Sequence, residues 1–170
     1  MPELPEIETI KNSLAGIIGA RITRTDFRRQ DIIKREDFAP DRLDGMAIRS
    51  VGRRGKFLII YLEEGHYLVV HLGMSGRFYL LPAGLDVEAP HVHLILHLDN
   101  GYRLVYQDPR RFGGIRLCRD LQPVFAHMGV EPLSKQFTAR YLAELCQGRK
   151  VAIKNLLLNQ GLISGIGNIY

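Results

Sequence analysis

The sequence predicts an α+β fold: one N-terminal helix, an antiparallel β-sandwich or barrel, then a short helical segment. Three observations predict it. Residues 3–18 place Leu4, Ile7, Ile10, Leu14, Ile17 and Ile18 at helical spacing. Residues 21–120 then break into short segments rich in Val, Ile, Leu and Tyr, with no helix-length run between them. After residue 122 the apolar period becomes helical again. The domain boundary is placed there, giving 1–122 and 123–170.

The first helix leaves Glu3, Glu6, Lys11 and Asn12 on its other faces, and Gly19 is a suitable stop. The strand-type segments are "RITRTDFR", "MAIRSVGR", "KFLIIYLE", "HYLVVHLG", "GRFYLLP", "HVHLILHLD", "YRLVYQD" and "GGIRLCRD". Turn signals such as "EEGH", "GMSG" and "DNGY" separate them. Within 92–98, Val92, Leu94, Leu96 and Leu98 alternate with His93, Ile95 and His97, which predicts one mainly apolar face. "FTARYLAELCQGRK" and "VAIKNLLLNQ" read as amphipathic helices. The glycine-rich "GLISGIGNIY" reads as a turn that opens one more helix. A helix opening at Tyr170 is expected of a truncated protein or a fragment.

Composition narrows the function classes. Of 170 residues, 46% are hydrophobic and 24% charged, as in folded soluble proteins. No apolar run is long enough to span a bilayer, so no membrane partner and a cytosolic location are expected. Cys118 and Cys146 cannot build a disulfide framework or a four-cysteine zinc site, and are expected to be buried reduced thiols. The net charge of +5 and a pI near 9.4 permit a polyanionic partner.

The opening "MPELPEIETI" carries the sharpest chemical signal. If Met1 is trimmed, Pro2 presents a secondary amine at a helix start. An α-amino group titrates near ~8, and the helix dipole lowers it while nearby carboxylates oppose that. A neutral secondary amine can attack an electrophilic carbon and form an iminium. Glu3 could transfer protons at a leaving base or sugar, and Glu6 could hold the terminus or tune Glu3. The plainer alternative is that Pro2 and Pro5 stiffen a helix start and the glutamates complement its dipole.

Other segments point toward nucleic acid. "VGRRGKFLII" sets Arg53, Arg54 and Lys56 around Gly55, as edge guards or as a turn approaching phosphate. "HLGMSGRF" puts Met74 on a glycine turn read as a hairpin tip, where a large apolar side chain is out of place unless it wedges into a base stack or packs under its loop. "QDPRRFGG" displays Arg110, Arg111 and Phe112 on a second turn. Arginine can fill the space of a base or grip phosphate, and Phe112 can stack. Two such turns suggest a base-flipping device. His91, His93 and His97 are read onto one strand, His91 and His93 on one face. No metal partner is evident, so they are taken as exposed, with His71 and His91 as phosphate contacts. "ISGIGNIY" offers Asn168 and Tyr170 beside backbone N–H groups that could hold phosphate, or a tight turn between helices.

Together, "MPELPEIET", "GRRGKFLI", "HLGMSGRF", "QDPRRFGG" and "GLISGIGNIY" resemble the formamidopyrimidine-DNA glycosylase family, in family order from first residue to last. The Leu in "PELPE" looks like the oxidised-purine branch rather than its oxidised-pyrimidine sister, which remains the alternative. The resemblance implies a β-sandwich catalytic domain over 1–122 and a partial helix–two-turn–helix domain over 123–170. It implies a bifunctional glycosylase and lyase of base-excision repair acting on 8-oxoguanine and formamidopyrimidines. Pro2 would be the Schiff-base nucleophile and Glu3 the proton donor. Lys56 would serve β-elimination and bind phosphate. Met74, Arg110 and Phe112 would fill the gap left by the everted nucleotide. His91, Arg111, Lys154 and Asn168 would grip the backbone, with His71 and Tyr170 as further contacts. The expected partner is damaged double-stranded DNA, bound by a monomer in the bacterial cytosol or nucleoid. Family members continue into a four-cysteine zinc finger, so zinc is expected only in a segment that these residues do not include. That departure leaves a non-catalytic DNA-binding fragment as the competing reading.

Overall fold

The computed structural model describes residues 2–170 and carries four α-helices and nine strands among them. Helix α1 runs Leu4–Ser13, shorter than the expected 3–18, and a 3₁₀ turn follows at Ala15–Ile17. Gly16 and the β-branched Ile17 and Ile18 make a poor last turn. The Leu14 N–H is shared between the carbonyls of Ile10 and Lys11, each at 3.2 Å, which tightens the helix end. Gly19, at φ +88°, then donates to Ile48 O at 2.8 Å and takes the chain into the sandwich.

The strands are β1 (Ile22–Phe27), β2 (Ile33–Glu36), β3 (Ile48–Arg54), β4 (Phe57–Leu62), β5 (Tyr67–His71), β6 (Arg77–Pro82), β7 (Val92–Leu98), β8 (Tyr102–Gln107) and β9 (Gly114–Cys118). They form a four-stranded sheet ordered β1-β7-β8-β6 and a five-stranded sheet ordered β2-β9-β5-β4-β3. All eight expected segments are strands. The ninth, β2, was not expected: "IKRE" is mostly charged and has no apolar alternation beyond Ile33. It pairs parallel to β9, the exception to the antiparallel pattern, and its charges suit an edge.

Between the sheets lies one core, built from Ile7 of α1 and Leu14 just past its end, Leu58 and Ile60 of β4, Leu94 and Leu96 of β7 and their neighbours. Each such side chain fully buried contributes about 1.5–3 kcal/mol. The outer faces of the central strands are also covered. Ile59, Val69 and Cys118 pack under Leu121, Val124 and Phe125, the last two in α2 (Gln122–Phe125). Ile95 and Val105 pack with Val87. Strand β7 is therefore buried on both faces, not on the single face that its alternation suggests.

This corrects the histidine reading. His91 precedes β7 at φ +65°, and a register shift falls between Val92 and Leu94. His93 is 4% exposed and its Nε2 lies 2.8 Å from Asp108 O. His91 and His93 do not share an exposed face.

Helices α3 (Ala139–Cys146) and α4 (Ile153–Leu158) follow. The Thr138 hydroxyl caps α3 by accepting from the Tyr141 N–H at 3.0 Å. No helix opens within 161–170, contrary to expectation. Gly165 sits at φ +111° with its Cα side pressed on Leu4, and the Ile169 N–H is taken by the Glu3 carboxyl instead of a preceding carbonyl.

The two parts meet at Glu131. Its carboxyl accepts from Arg53 Nη1 at 3.0 Å, Arg54 Nη1 at 3.2 Å and the Gly55 N–H. Arg54 also donates to Ser164 Oγ and Gly129 O, both at 2.7 Å. Arg53 and Arg54 are thus joints between parts of the chain, not free cations beside Gly55.

Cys118 is buried as expected, whereas Cys146 is exposed on α3. Burial pushes the Cys118 thiol up to about 11, with the carboxylate of Asp37 adding to it. At pH 8 a thiol-reactive dye should therefore label one cysteine per native chain and two after denaturation, read by mass spectrometry. Rapid native labelling of Cys118 would contradict this packing.

Candidate nucleic-acid and catalytic site

A cleft of about 1140 Å³ opens beside the start of α1, and Pro2, Glu6, Met74, Arg77, His91 and Tyr170 are among its walls. Five residues singled out in the sequence thus share one concavity.

Local chemistry fixes the helix start. The Glu3 N–H donates to Glu6 Oε2 at 2.9 Å, the backward half of a capping box. The Tyr170 hydroxyl donates to Glu6 Oε1. That bond, then the one from the Glu3 N–H, holds the Glu6 carboxyl below its ordinary range. Glu6 thereby fixes the backbone at Glu3. Tyr170 is spent on Glu6, so its hydroxyl is bonded within the chain.

Glu3 is only 1% exposed. Its Oε1 accepts the Ile169 N–H at 3.0 Å, while Oε2 is buried without a partner among the described residues. Gly167 makes room for it: a Cβ there would lie 2.1 Å from the carboxyl carbon. A buried, half-satisfied carboxyl is costly, and such groups gather where chemistry needs them.

Met74 and the Arg110–Phe112 pair come from two connections that cross between the sheets. One joins β5 to β6 and the other β8 to β9, so Met74 does not sit on a hairpin tip. The crossings touch so closely that a Cβ on Gly73 would meet Gly113 N at 2.4 Å. Met74 is 45% and Phe112 60% exposed, and the Arg110 guanidinium lies 4.6 Å from the Phe112 ring centre. Three probe-like side chains thereby project from one corner.

Models of two domains match this chain. The formamidopyrimidine-DNA glycosylase N-terminal domain matches residues 1–115, and the H2TH domain of the same enzymes matches 128–170.

The chain belongs to the formamidopyrimidine-DNA glycosylase family.

The formamidopyrimidine-DNA glycosylase of Syntrophomonas wolfei is 55% identical over all 170 residues, which span 63% of that protein. That of Methylocella silvestris is 41% identical, again over the whole chain and 64% of the relative. Among solved structures, Lactococcus lactis Fpg in complex with DNA containing an abasic site superposes with a TM-score of 0.89 at 30% identity. That likeness covers 99% of this chain and 65% of the other. The same enzyme bound to DNA containing N7-benzyl-Fapy-dG gives 0.88 at 32%, covering 99% and 64%. The chain thus spans a little under two thirds of the formamidopyrimidine-DNA glycosylases it matches.

The remaining family-motif residues lie outside the large cleft, apart from His91 and Tyr170. Lys56 follows Gly55 in the β3–β4 turn. His71 lies against Phe57, with ring centres 4.7 Å apart, and its Nδ1 accepts the Gly73 N–H at 3.2 Å. Burial first, then the cations of Arg116 and Lys56, lowers its pKa. A neutral ring with Nε2 as donor follows. Arg111, at φ +56°, is paired with Asp31 at 3.0 Å, and Arg29 grips the same carboxylate and holds it near 2. Arg111 is thus not a free cation in this structure. Lys154, Asn168 and Tyr170 line a smaller cleft of about 330 Å³ beside α4.

Sequence reasoning missed three participants. Asp108 is fully buried and ties the two crossings together, although "DP" reads only as turn chemistry. Ile169 contributes a backbone N–H, which leaves no side-chain signal. Glu131 stands alone in its segment and gives no hint of its two arginine partners. Among the described residues, no group of three or more His, Cys, Asp or Glu side chains could hold a metal, so they do not fit a zinc site and no step is routed through one.

Proposed function

We propose that this chain carries the catalytic and part of the DNA-gripping machinery of a bifunctional glycosylase and lyase acting on oxidised purines in double-stranded DNA. The division into a sandwich domain, 1–122, and a helix–two-turn–helix portion, 123–170, belongs to the same proposal. The observation that carries it is the pairing of Pro2, on the wall of the large cleft, with the adjoining Glu3 carboxyl, buried and half-satisfied.

In this reading Met74, Arg110 and Phe112 enter the duplex as a base leaves it. The Pro2 nitrogen, freed of Met1, adds its lone pair to the anomeric carbon as the glycosidic bond breaks and the base departs with those electrons. Glu3 delivers the proton that opens the sugar ring, and the nitrogen's remaining proton is lost as the iminium forms. The iminium makes the neighbouring C–H acidic. β-Elimination then expels the 3′ phosphate oxygen, and δ-elimination expels the 5′ one, leaving a one-nucleotide gap. Lys56 assists the first elimination and binds phosphate. His71, His91, Arg111, Lys154, Asn168 and Tyr170 grip the backbone, Arg111 and Tyr170 after exchanging their internal partners. Met1 lies outside the described residues.

Borohydride trapping on an 8-oxoguanine duplex tests this, after N-terminal mass analysis has established that Met1 is gone. A covalent adduct is expected, reduced at least ~100-fold in Pro2→Gly. Lesion binding without any adduct would instead support the non-catalytic fragment. Faster processing of an oxidised pyrimidine in competition would support the sister activity.

A further inference from the structure

We propose that Ser75 and the buried Asp108 are the positioning couple of the base-flipping apparatus, locking Met74 to Arg110 and Phe112 as one preorganised block. The inference rests on the flipping role proposed for those three side chains.

The three probes are mounted on two separate connections. Met74 belongs to the β5–β6 crossing, and Arg110 and Phe112 to the β8–β9 crossing. Loops that cross between sheets lack a ladder to hold them in register. Something else must fix one to the other if three probes are to enter a duplex together.

One such link joins the two crossings. The Ser75 hydroxyl donates to Asp108 Oδ1 at 2.6 Å and accepts the Arg110 N–H at 3.1 Å. Ser75 follows Met74 directly, and Arg110 is itself a probe. On the other oxygen, Asp108 Oδ2 accepts the Gly113 N–H at 2.9 Å and the Tyr106 hydroxyl at 3.1 Å. Gly113 follows Phe112 directly. The carboxyl thus contacts the immediate chain neighbours of Met74 and Phe112. Its own backbone is fixed as well: the N–H donates to His91 O at 3.0 Å, and the carbonyl lies 2.8 Å from His93 Nε2.

Asp108 has no solvent exposure. Burial alone would raise its pKa, but the bonds from Ser75, Gly113 and Tyr106 outweigh burial and hold it low. The carboxylate is therefore ionised, and its bonds are charge-assisted. A rigid, fully satisfied network of this kind preorganises the groups it carries, so little ordering cost remains when they meet DNA.

The test uses the full chain with Ser75→Ala and Asp108→Asn. Ser75→Ala cuts the bridge between crossings and leaves Tyr106 and Gly113 on the carboxylate. Asp108→Asn keeps the shape but halves the acceptor set. Thermal melts establish that each variant is folded. Stopped-flow fluorescence of 2-aminopurine beside the lesion reports flipping, and equilibrium titration compares damaged with undamaged duplex. Both variants are expected to slow flipping about 10-fold, and to lower the ratio of damaged to undamaged affinity in step, the scale of one lost charge-assisted bond. Parent-like flipping in both folded variants overturns this inference alone. So does an equal loss on damaged and undamaged duplex, which a merely structural pair would give. A parent chain that gives neither fluorescence change nor trapped adduct overturns the proposed function, and this inference with it.

Discussion

Glu3→Gln is expected to lower base excision by about 10²-fold or more while leaving the protein at least as stable as before. The activity loss follows from chemistry: an amide of the same shape cannot deliver the proton, and general acid catalysis is worth about 10²–10⁴ in rate. The stability gain follows from burial. Oε1 already accepts the Ile169 N–H, and Gln can keep that bond. Oε2 has no partner among the described residues, so the wild-type site buries an ionisable group that they only half satisfy. Replacing a group kept for chemistry rather than for packing is the usual trade of stability against activity. A gain of ~1 kcal/mol would raise Tm by about 2–4 °C in a chain of this size. Single-turnover kinetics on an 8-oxoguanine duplex and a thermal melt read the two quantities separately. Undiminished excision would remove Glu3 from the chemistry. A marked fall in Tm would make it a structural carboxyl that the Gly165–Tyr170 segment needs.

The contrast between Glu3 and its neighbours shows what a sequence can carry. The eight strand segments were legible because their apolar residues recur at short range between glycine turns. β2 was not, since its place depends on β9, far along the chain. The same limit governs the site. Met74, Arg110 and Phe112 stand out because large side chains on glycine turns violate a local expectation. Asp108 violates none: an aspartate before proline is ordinary turn chemistry, and only the crossing of two loops reveals the three bonds of its carboxyl. His93 was misread for a related reason. Alternation gives parity along a strand but is blind to a register shift and to what covers the outer face. The final decapeptide was misread because a glycine turn before apolar residues commonly opens a helix. Here a carboxyl 166 residues away takes the N–H that a helix would have used.

The same long-range logic makes Glu131→Ala the most damaging substitution expected away from the cleft. Its carboxyl serves two guanidiniums and the Gly55 N–H, and the three side chains are between 13% and 27% exposed. Breaking a buried ion pair from one side costs about 3–5 kcal/mol, because the other charge stays buried. Partial exposure and the surviving partners reduce that here. Arg53 keeps Glu8 at 2.8 Å, and Arg54 keeps Ser164 and Gly129. A loss of about 2–3 kcal/mol is expected on this ground, read as a lower urea midpoint at unchanged slope. A loss under ~0.5 kcal/mol would place the cluster with ordinary surface pairs. DNA binding separates this structural role from the one that "GRRGK" suggested. If Arg53 and Arg54 were phosphate ligands restrained by Glu131, freeing them would steepen the salt dependence of duplex affinity by about one phosphate each. As joints holding 129–131 and Ser164 against the β3–β4 turn, they should leave that slope unchanged. Lys56, next along the same turn, would then carry its cationic contribution alone.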